Sequence, residues 1–192
     1  MNERLIRTFL CVPVPVKTNS IKTMLYSTID NSKFKINWVR NSNLHLTIKF
    51  IGQTPKSSLK EIIYDISNIT SNIKPFNLKI SETGCFPNDS RPKALWLGII
   101  DKSENFNKLV SKIENSLFKI GFEKDKKIFT PHITIARINY PQKLKPDIQM
   151  FLNSSYDEID LDVHRVQFFS SELLSNGAIY SLLKTFPLGE TI

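Results

Sequence analysis

The sequence predicts an α+β fold built as two similar lobes facing each other across a groove, and three observations carry that prediction. Strand-like and helix-like segments follow one another with short connections and no low-complexity linker. A four-residue phrase occurs twice, His45-Leu46-Thr47-Ile48 and His132-Ile133-Thr134-Ile135, each time inside an apolar, β-branched run. Each copy is followed by a proline-containing turn, at Pro55 or Pro141, and then by an apparent helix. Residues 1–192 therefore read as a single bilobal domain.

Taken in order, residues 7–14 form a first strand, rich in Val, Phe and Leu and closed by prolines. Ile21, Met24, Leu25 and Ile29 recur at helical spacing, which predicts a helix over 20–29. A short strand at 37–40 precedes a strand at 44–51, ended by Gly52 and holding the first phrase. Pro55 suits a first helical turn, and Leu59, Ile62, Ile63, Ile66 and Ile69 give a helix over 56–70. Phe76, Leu78 and Ile80 alternate with polar residues in a half-buried strand over 76–82. Turn chemistry from Phe86 to Pro92 leads into the strand 94–100. Asp101 or Ser103 caps the next helix, whose buried stripe is Phe106, Leu109, Val110, Ile113 and Leu117 and whose stop is Gly121. The second phrase lies on a strand over 132–138. A third helix at 143–152, a long strand at 159–170, the turn Ser175-Asn176-Gly177 and a strand at 178–186 complete the chain.

Hydrophobic residues make up 41% and charged residues 23% of the chain, the balance of a folded, water-soluble protein rather than a disordered one. The excess of 26 Lys+Arg over 18 Asp+Glu, a net charge of +8, favours an anionic partner such as nucleic acid. Cys11 and Cys85 stand alone, without zinc-site or disulfide spacing, which fits a reducing cytoplasm. Arg4 and Arg7 before Phe9-Leu10-Cys11-Val12 look superficially like a signal peptide, but Pro13 and Pro15 interrupt the run. No run approaches the 18 or so apolar residues of a membrane span.

Side chains alternate faces along a strand, so each phrase puts a His and a Thr on one face and two aliphatics on the other. The chain has three histidines, and chance would place Thr two residues after two of them about once in a hundred sequences. Two imidazoles can share the halves of one displacement, one taking a proton and the other giving one. Threonine hydroxyls on the same face can hold a phosphate between them and stabilise charge growing on its oxygens. On a regular strand Lys49 shares the face of His45 and Thr47 and adds charge to it. Arg137 has the opposite parity to His132 and reaches the site only through a bulge or a strand end.

Other readings fit less well. As plain strand residues, the matched His-Thr pairs leave the repetition unexplained. Zinc would call for His-x-His or His-x-x-x-His spacing or a nearby carboxylate, and neither phrase has one. A nucleophile elbow and a P-loop glycine pattern are absent. His164 lacks the phrase and reads as structural or exposed. Among the aromatics near the phrases, Trp38, Phe50 and Trp96, parity assigns Phe50 to the core and leaves Trp38 as a candidate to stack on a base. Arg91-Pro92-Lys93 and Lys124-Asp125-Lys126-Lys127 are candidates to steer an RNA backbone, with solvated surface as the plain alternative.

These residues resemble the 2H phosphoesterases, and within them the RNA 2',3'-cyclic phosphodiesterases, also called 2'-5' RNA ligases. Arg7-Thr8-Phe9 resembles that family's opening strand, and the segments 45–52 and 131–137 are similar to its two His-x-Thr-x motifs. Phe86-Pro87, Arg91-Pro92 and Leu95-Trp96-Leu97-Gly98 resemble its middle segment, and Ser171-Glu172-Leu173 with Gly177 and Tyr180 its C-terminal hairpin. The resemblance implies antiparallel sheets with flanking helices about a pseudo-twofold axis. It also implies metal-independent opening of an RNA 2',3'-cyclic phosphate end to a 2'-phosphate, reversible in principle as 2'-5' ligation. His132 would activate water, His45 would protonate the departing 3' oxygen, and Thr47, Thr134 and Arg137 would hold the phosphate. Arg137 can do so only with a strand irregularity near 136–137. By the same resemblance the protein needs no cofactor or metal and acts on RNA or an oligonucleotide with a cyclic end; with the cysteine and hydropathy readings, the expectation is a cytoplasmic monomer that does not engage a membrane. The rival reading from another class is a nucleotide- or RNA-binding module that keeps the pocket and performs no chemistry.

Overall fold

Alternating apolar residues build nine strands in the computed structural model, which describes residues 4–126, 129–174 and 177–189. In chain order they are β1 (Leu5–Pro13), β2 (Ile36–Trp38), β3 (His45–Pro55), β4 (Phe76–Phe86), β5 (Ala94–Ile100), β6 (His132–Ile138), β7 (Ile159–Val163), β8 (Arg165–Leu174) and β9 (Gly177–Pro187). The helices are α1 (Lys17–Tyr26), α2 (Leu59–Ser71), α3 (Asn105–Lys119) and α4 (Gln149–Leu152). Every strand pair is antiparallel. One sheet has the order β3-β1-β8-β9 and the other β2-β6-β5-β4-β7.

Leaving β2 aside, the two sheets match strand for strand: β3 corresponds to β6, β1 to β5, β8 to β4 and β9 to β7. Both phrases thus occupy the same place in their lobes, and β3 lies against β6 where the lobes meet. The α+β, bilobal architecture is the one the repeat predicts. The inward faces of both sheets merge into one apolar core that includes Leu10, Leu46, Ile48, Leu95, Ile133 and Ile135. Phe106, Phe151, Phe168 and Phe186 are its largest fully buried side chains. Burial of each such ring contributes about 1.5–3 kcal/mol. Helices α2 and α3 pack on each other and turn Ile62, Ile66, Leu109 and Ile113 inward. Asp101 is the cap of α3: its carboxylate accepts the backbone N–H groups of Asn105, Phe106 and Asn107. Gly121, at φ +95°, ends the helix in the left-handed conformation that glycine adopts without strain.

Several expectations change, among them the strand expected over 76–82, which runs on to Phe86 through a register shift between Ser81 and Thr83. Helix α1 begins at Lys17, three residues early, because the carbonyls of Pro15 and Val16 already accept the N–H groups of Thr18 and Asn19. Strand β3 runs past Gly52 to Pro55: Gly52 (φ +85°) makes a bulge beside unpaired Ile51, and the ladder to β1 resumes. The helix expected over 143–152 shrinks to α4, since Pro146 bars helix at its predecessor and Asp147 caps the turn that follows. The long strand of 159–170 is two strands broken at His164, β7 pairing with β4 in one sheet and β8 with β1 in the other. The reason is a slip in phase: Ile159, Leu161 and Val163 are buried, then Val166 and Phe168. Ser175 and Asn176 of the expected turn lie outside the described residues, and β8 and β9 pair up to Leu174 and Gly177 on either side of them.

Candidate active site

Both phrases carry the same irregularity. Along β3, Cys11 pairs with Thr47 and Leu10 with Lys49, which leaves Ile48 without a partner. Along β6, Trp96 pairs with Thr134 and Leu95 with Ala136, which leaves Ile135 without one. A bulge adds one residue and reverses the alternation beyond it. Ile48 and Lys49 both turn inward, as do Ile135 and Ala136, and Phe50 and Arg137 emerge on the face of the His-Thr pairs. Arg137 therefore joins His132 and Thr134 through an irregularity one residue earlier than the sequence placed it. The same bulge corrects two expectations. Lys49 does not face the site but is 3% exposed behind it, and Phe50 is 48% exposed rather than in the core.

Each imidazole is held by the same contact. His45 Nδ1 lies 2.7 Å from the carbonyl of Asn43, and His132 Nδ1 lies 2.7 Å from the carbonyl of Thr130. A carbonyl only accepts, so Nδ1 carries the hydrogen in both rings. Nε2 is then left to take a proton when the ring is neutral and to give one when it is charged. Burial lowers the pKa of both histidines, and the positive charge of Arg137 lowers both further, against the opposing effect of the carbonyl contacts. His45 is also lowered by the charge of His132, so the two rings feel each other across one cleft. The hydroxyls of Thr47 and Thr134 have no hydrogen-bond partner within the protein among the described residues, and both side chains are partly exposed. Two proton carriers, two free hydroxyls and one guanidinium can hold a tetrahedral anion and move protons on either side of it.

Aromatic rings wall the histidines, a feature that sequence reasoning did not assign to the site. Phe9 and Tyr180 lie 4.9 and 5.6 Å from His45, and Phe86 and Trp96 lie 4.9 and 6.3 Å from His132, centroid to centroid. Trp96 faces the site because its partner Thr134 does. Its ring lies over Gly84, where a Cβ would come within 2.1 Å of it. The pairing of β1 with β3 was the missing signal for Phe9, and no single-strand pattern contains it. Trp38 is not brought to this face: it pairs with inward-facing Ala136, packs on the core and donates to Asn31 Oδ1. His164 is exposed, beside Arg165. A pocket of about 560 Å³ opens next to His45, between the end of β1, residues 40–44 and β9. The Cys11 thiol borders it, with a pKa pushed up by burial to about 12, which removes it as a nucleophile near neutral pH. Of the proposed steering residues, Asp125 is tied to Lys49 and Lys124 lies over the ring of Phe118, while Lys127 lies outside the described residues.

Residues 21–173, which include both bulged strands, match the family described as the 2'-5' RNA ligase superfamily. The chain belongs to the 2'-5' RNA ligase superfamily. It is 30% identical over 183 residues to the RNA 2',3'-cyclic phosphodiesterase of Methanocaldococcus jannaschii, covering 93% of this chain and 99% of that one. It is 28% identical to the enzyme of the same name from Aquifex aeolicus, over 97% of this chain and 99% of that one. A crystal structure of a Thermus thermophilus protein superposes with a TM-score of 0.81 at 22% identity, over 96% of this chain and 98% of that one. E. coli LigT complexed with 3'-AMP superposes at 0.78 and 18% identity, over 97% and 100%. These superpositions show that the chain shares its fold with those two proteins over nearly its whole length.

Proposed function

We propose that this member of the superfamily opens 2',3'-cyclic phosphate ends of RNA to 2'-phosphate ends with two histidines and no metal. The observation that carries the reading is the mirrored pair of imidazoles, each fixed at Nδ1 by the carbonyl two residues back, around a face that presents two threonine hydroxyls and one arginine. The names of the Methanocaldococcus and Aquifex relatives supply the substrate class. In the proposed reaction His132 Nε2 takes a proton from water, whose oxygen attacks phosphorus. The bond from phosphorus to the 3' oxygen breaks, and His45 Nε2 gives that oxygen its proton. Thr47, Thr134 and Arg137 bind the equatorial oxygens, on which negative charge grows as the fifth bond forms. The order of the two histidines follows the family resemblance, since the carbonyl contacts suit either role. With the 5'-hydroxyl of a second strand in place of water, the same displacement would join two ends through a 2'-5' linkage: His132 would take the hydroxyl proton, the bond from phosphorus to the 3' oxygen would break, and His45 would protonate that oxygen. The protein would act as a monomer in the reducing cytoplasm, with Cys11 and Cys85 as free thiols.

The test is turnover of an oligonucleotide with a 2',3'-cyclic phosphate end in the presence of EDTA, with the product assigned as 2'- or 3'-phosphate. The expected product is the 2'-phosphate, and His45→Ala and His132→Ala should each lose about 10²–10⁴-fold in kcat. Saturable binding without turnover would instead make the chain a binding module. Turnover that survives either substitution would overturn the two-histidine mechanism.

A further inference from the structure

Beyond Arg137 the β5–β6 ladder ends in a second pocket, of about 310 Å³, formed by the turn before β5 and the segment that follows β6. The two segments are tied together where they leave the sheet, since Ile138 N–H donates to the Lys93 carbonyl at 2.9 Å. Arg91, Lys143 and Lys145 line this pocket, and no lining residue carries a carboxylate. None of the three makes an ion pair among the described residues. The Arg91 guanidinium lies 5.2 Å over the ring of Tyr140, which restricts where its charge can go.

Two further lining groups point to an anionic ligand. Tyr140 Oη and Gln142 Nε2 are buried and have no hydrogen-bond partner among the described residues. The orientation of the Gln142 amide is fixed, because its Oε1 accepts the Lys35 N–H at 2.9 Å, so the unpartnered end is the donor. A buried donor without a partner is destabilising unless a ligand or water satisfies it. Two such donors beside three unpaired cations form a site for an oxyanion.

We propose that this pocket binds a backbone phosphodiester of the RNA strand whose cyclic end reacts at the histidines. The proposal rests on reading the cleft as an RNA-end phosphodiesterase. Ala94 pairs with Arg137 at the end of the β5–β6 ladder, and the pocket is built from the segments that leave the ladder at that end, so a single strand leaving the cleft past Arg137 would run toward it. The pocket would make the enzyme prefer an oligonucleotide to a mononucleotide without touching the reacting phosphate.

The test compares a hexanucleotide ending in a 2',3'-cyclic phosphate with a mononucleoside 2',3'-cyclic phosphate, using wild type, Lys143→Ala/Lys145→Ala and Tyr140→Phe. The double variant should raise KM for the hexanucleotide about tenfold and leave the mononucleotide constants within twofold. It should also reduce the slope of log affinity against log salt by about 1.4, for two contacts on a single strand. Tyr140→Phe should raise the hexanucleotide KM several-fold with kcat unchanged. Equal effects on both substrates, or no effect on either, overturn the proposal. Failure of wild type to turn over either substrate refutes the catalytic reading alone. Fluorescence anisotropy of the hexanucleotide then tests the pocket: about tenfold weaker binding by the double variant supports it, and unchanged affinity overturns it.

Discussion

Lys49 offers the sharpest test of how the bulge shapes the molecule. Turned inward at Ile48, its Nζ lies 2.8 Å from Glu114 Oε1 on α3 and 3.0 Å from Asp125 Oδ2 on the chain leading to β6. Glu114 Oε1 also accepts the Asp125 N–H at 2.8 Å, so one carboxylate organises all three residues. Side-chain exposures are 3% for Lys49, 24% for Glu114 and 57% for Asp125, and this gradient decides what each truncation costs. Glu114→Ala leaves a buried ammonium with one largely hydrated partner. Removing one member of a buried pair costs about 3–5 kcal/mol, and the partial exposure of Glu114 reduces that to about 2–3 kcal/mol here. Lys49→Met removes the buried charge, keeps the apolar stem and leaves two carboxylates that water can reach, at a cost of about 1 kcal/mol or less. Thermal unfolding followed by circular dichroism should show Glu114→Ala melting about 4–12 °C below wild type and Lys49→Met within about 4 °C of it. A Lys49→Met variant less stable than Glu114→Ala would refute the reasoning, because it would mean that the ammonium is not the group stranded by losing its partner.

Arg137→Gln should shift the pH profile of kcat/KM toward higher pH on both limbs. The guanidinium disfavours a second positive charge on either imidazole, so its removal raises both pKa values. The same variant should lose about 10²–10³-fold in kcat/KM as a phosphate donor disappears, and a profile that stays in place or moves to lower pH counts against the assignment. Thr47→Val and Thr134→Val should each lower kcat/KM by about 10²-fold with stability within about 0.5 kcal/mol of wild type, because neither hydroxyl has a partner among the described residues. Gly84→Ala drives a Cβ to 2.1 Å from the Trp96 ring, which must move beside His132. A stability loss of about 1–3 kcal/mol together with at least a tenfold loss in kcat/KM is expected. Wild-type kinetics in that variant would show that Trp96 does not position the site.

Alternation made much of this site legible. His45, Thr47, His132 and Thr134 precede the bulges, so counting by twos places them correctly. Beyond the bulges the count fails, and the residue types explain why it misled more in one lobe than in the other. In β6 the inward pair is Ile135-Ala136 and the outward residue is Arg137, so hydrophobicity itself slips phase. In β3 the inward residue is Lys49 and the outward one Phe50, the reverse of what side-chain polarity suggests. Only the carboxylates of Glu114 and Asp125, distant in sequence, make Lys49 tolerable inside. The break at His164 was in principle readable, because the buried positions change from odd to even there. The short α4 was readable too, from Pro146 inside the expected helix, whereas the aromatic walls depend on strand pairing, which no local pattern reports.

The pseudo-twofold repeat gives both histidines the same backbone, the same carbonyl contact and the same neighbouring threonine, so any difference in reactivity must come from side chains outside the phrase. Two such differences stand out. After its bulge one lobe presents Arg137 and the other presents Phe50, so the cleft holds a guanidinium at only one of two equivalent positions. Around His45, Phe9 lies tilted by 33° against the ring with Tyr180 at its edge, and Phe50 extends the apolar wall through Phe9. Around His132, Phe86 meets the ring edge-on at 81°. The more enclosed imidazole loses more hydration when charged, and in the proposed cycle the bound phosphate anion must compensate for that loss at His45. An acid whose charged form is favoured by the bound anion is set to protonate a leaving group on that anion. Duplicating the strand would thus supply the two proton carriers, and the departures from symmetry at Phe50 and Arg137 would make them unequal.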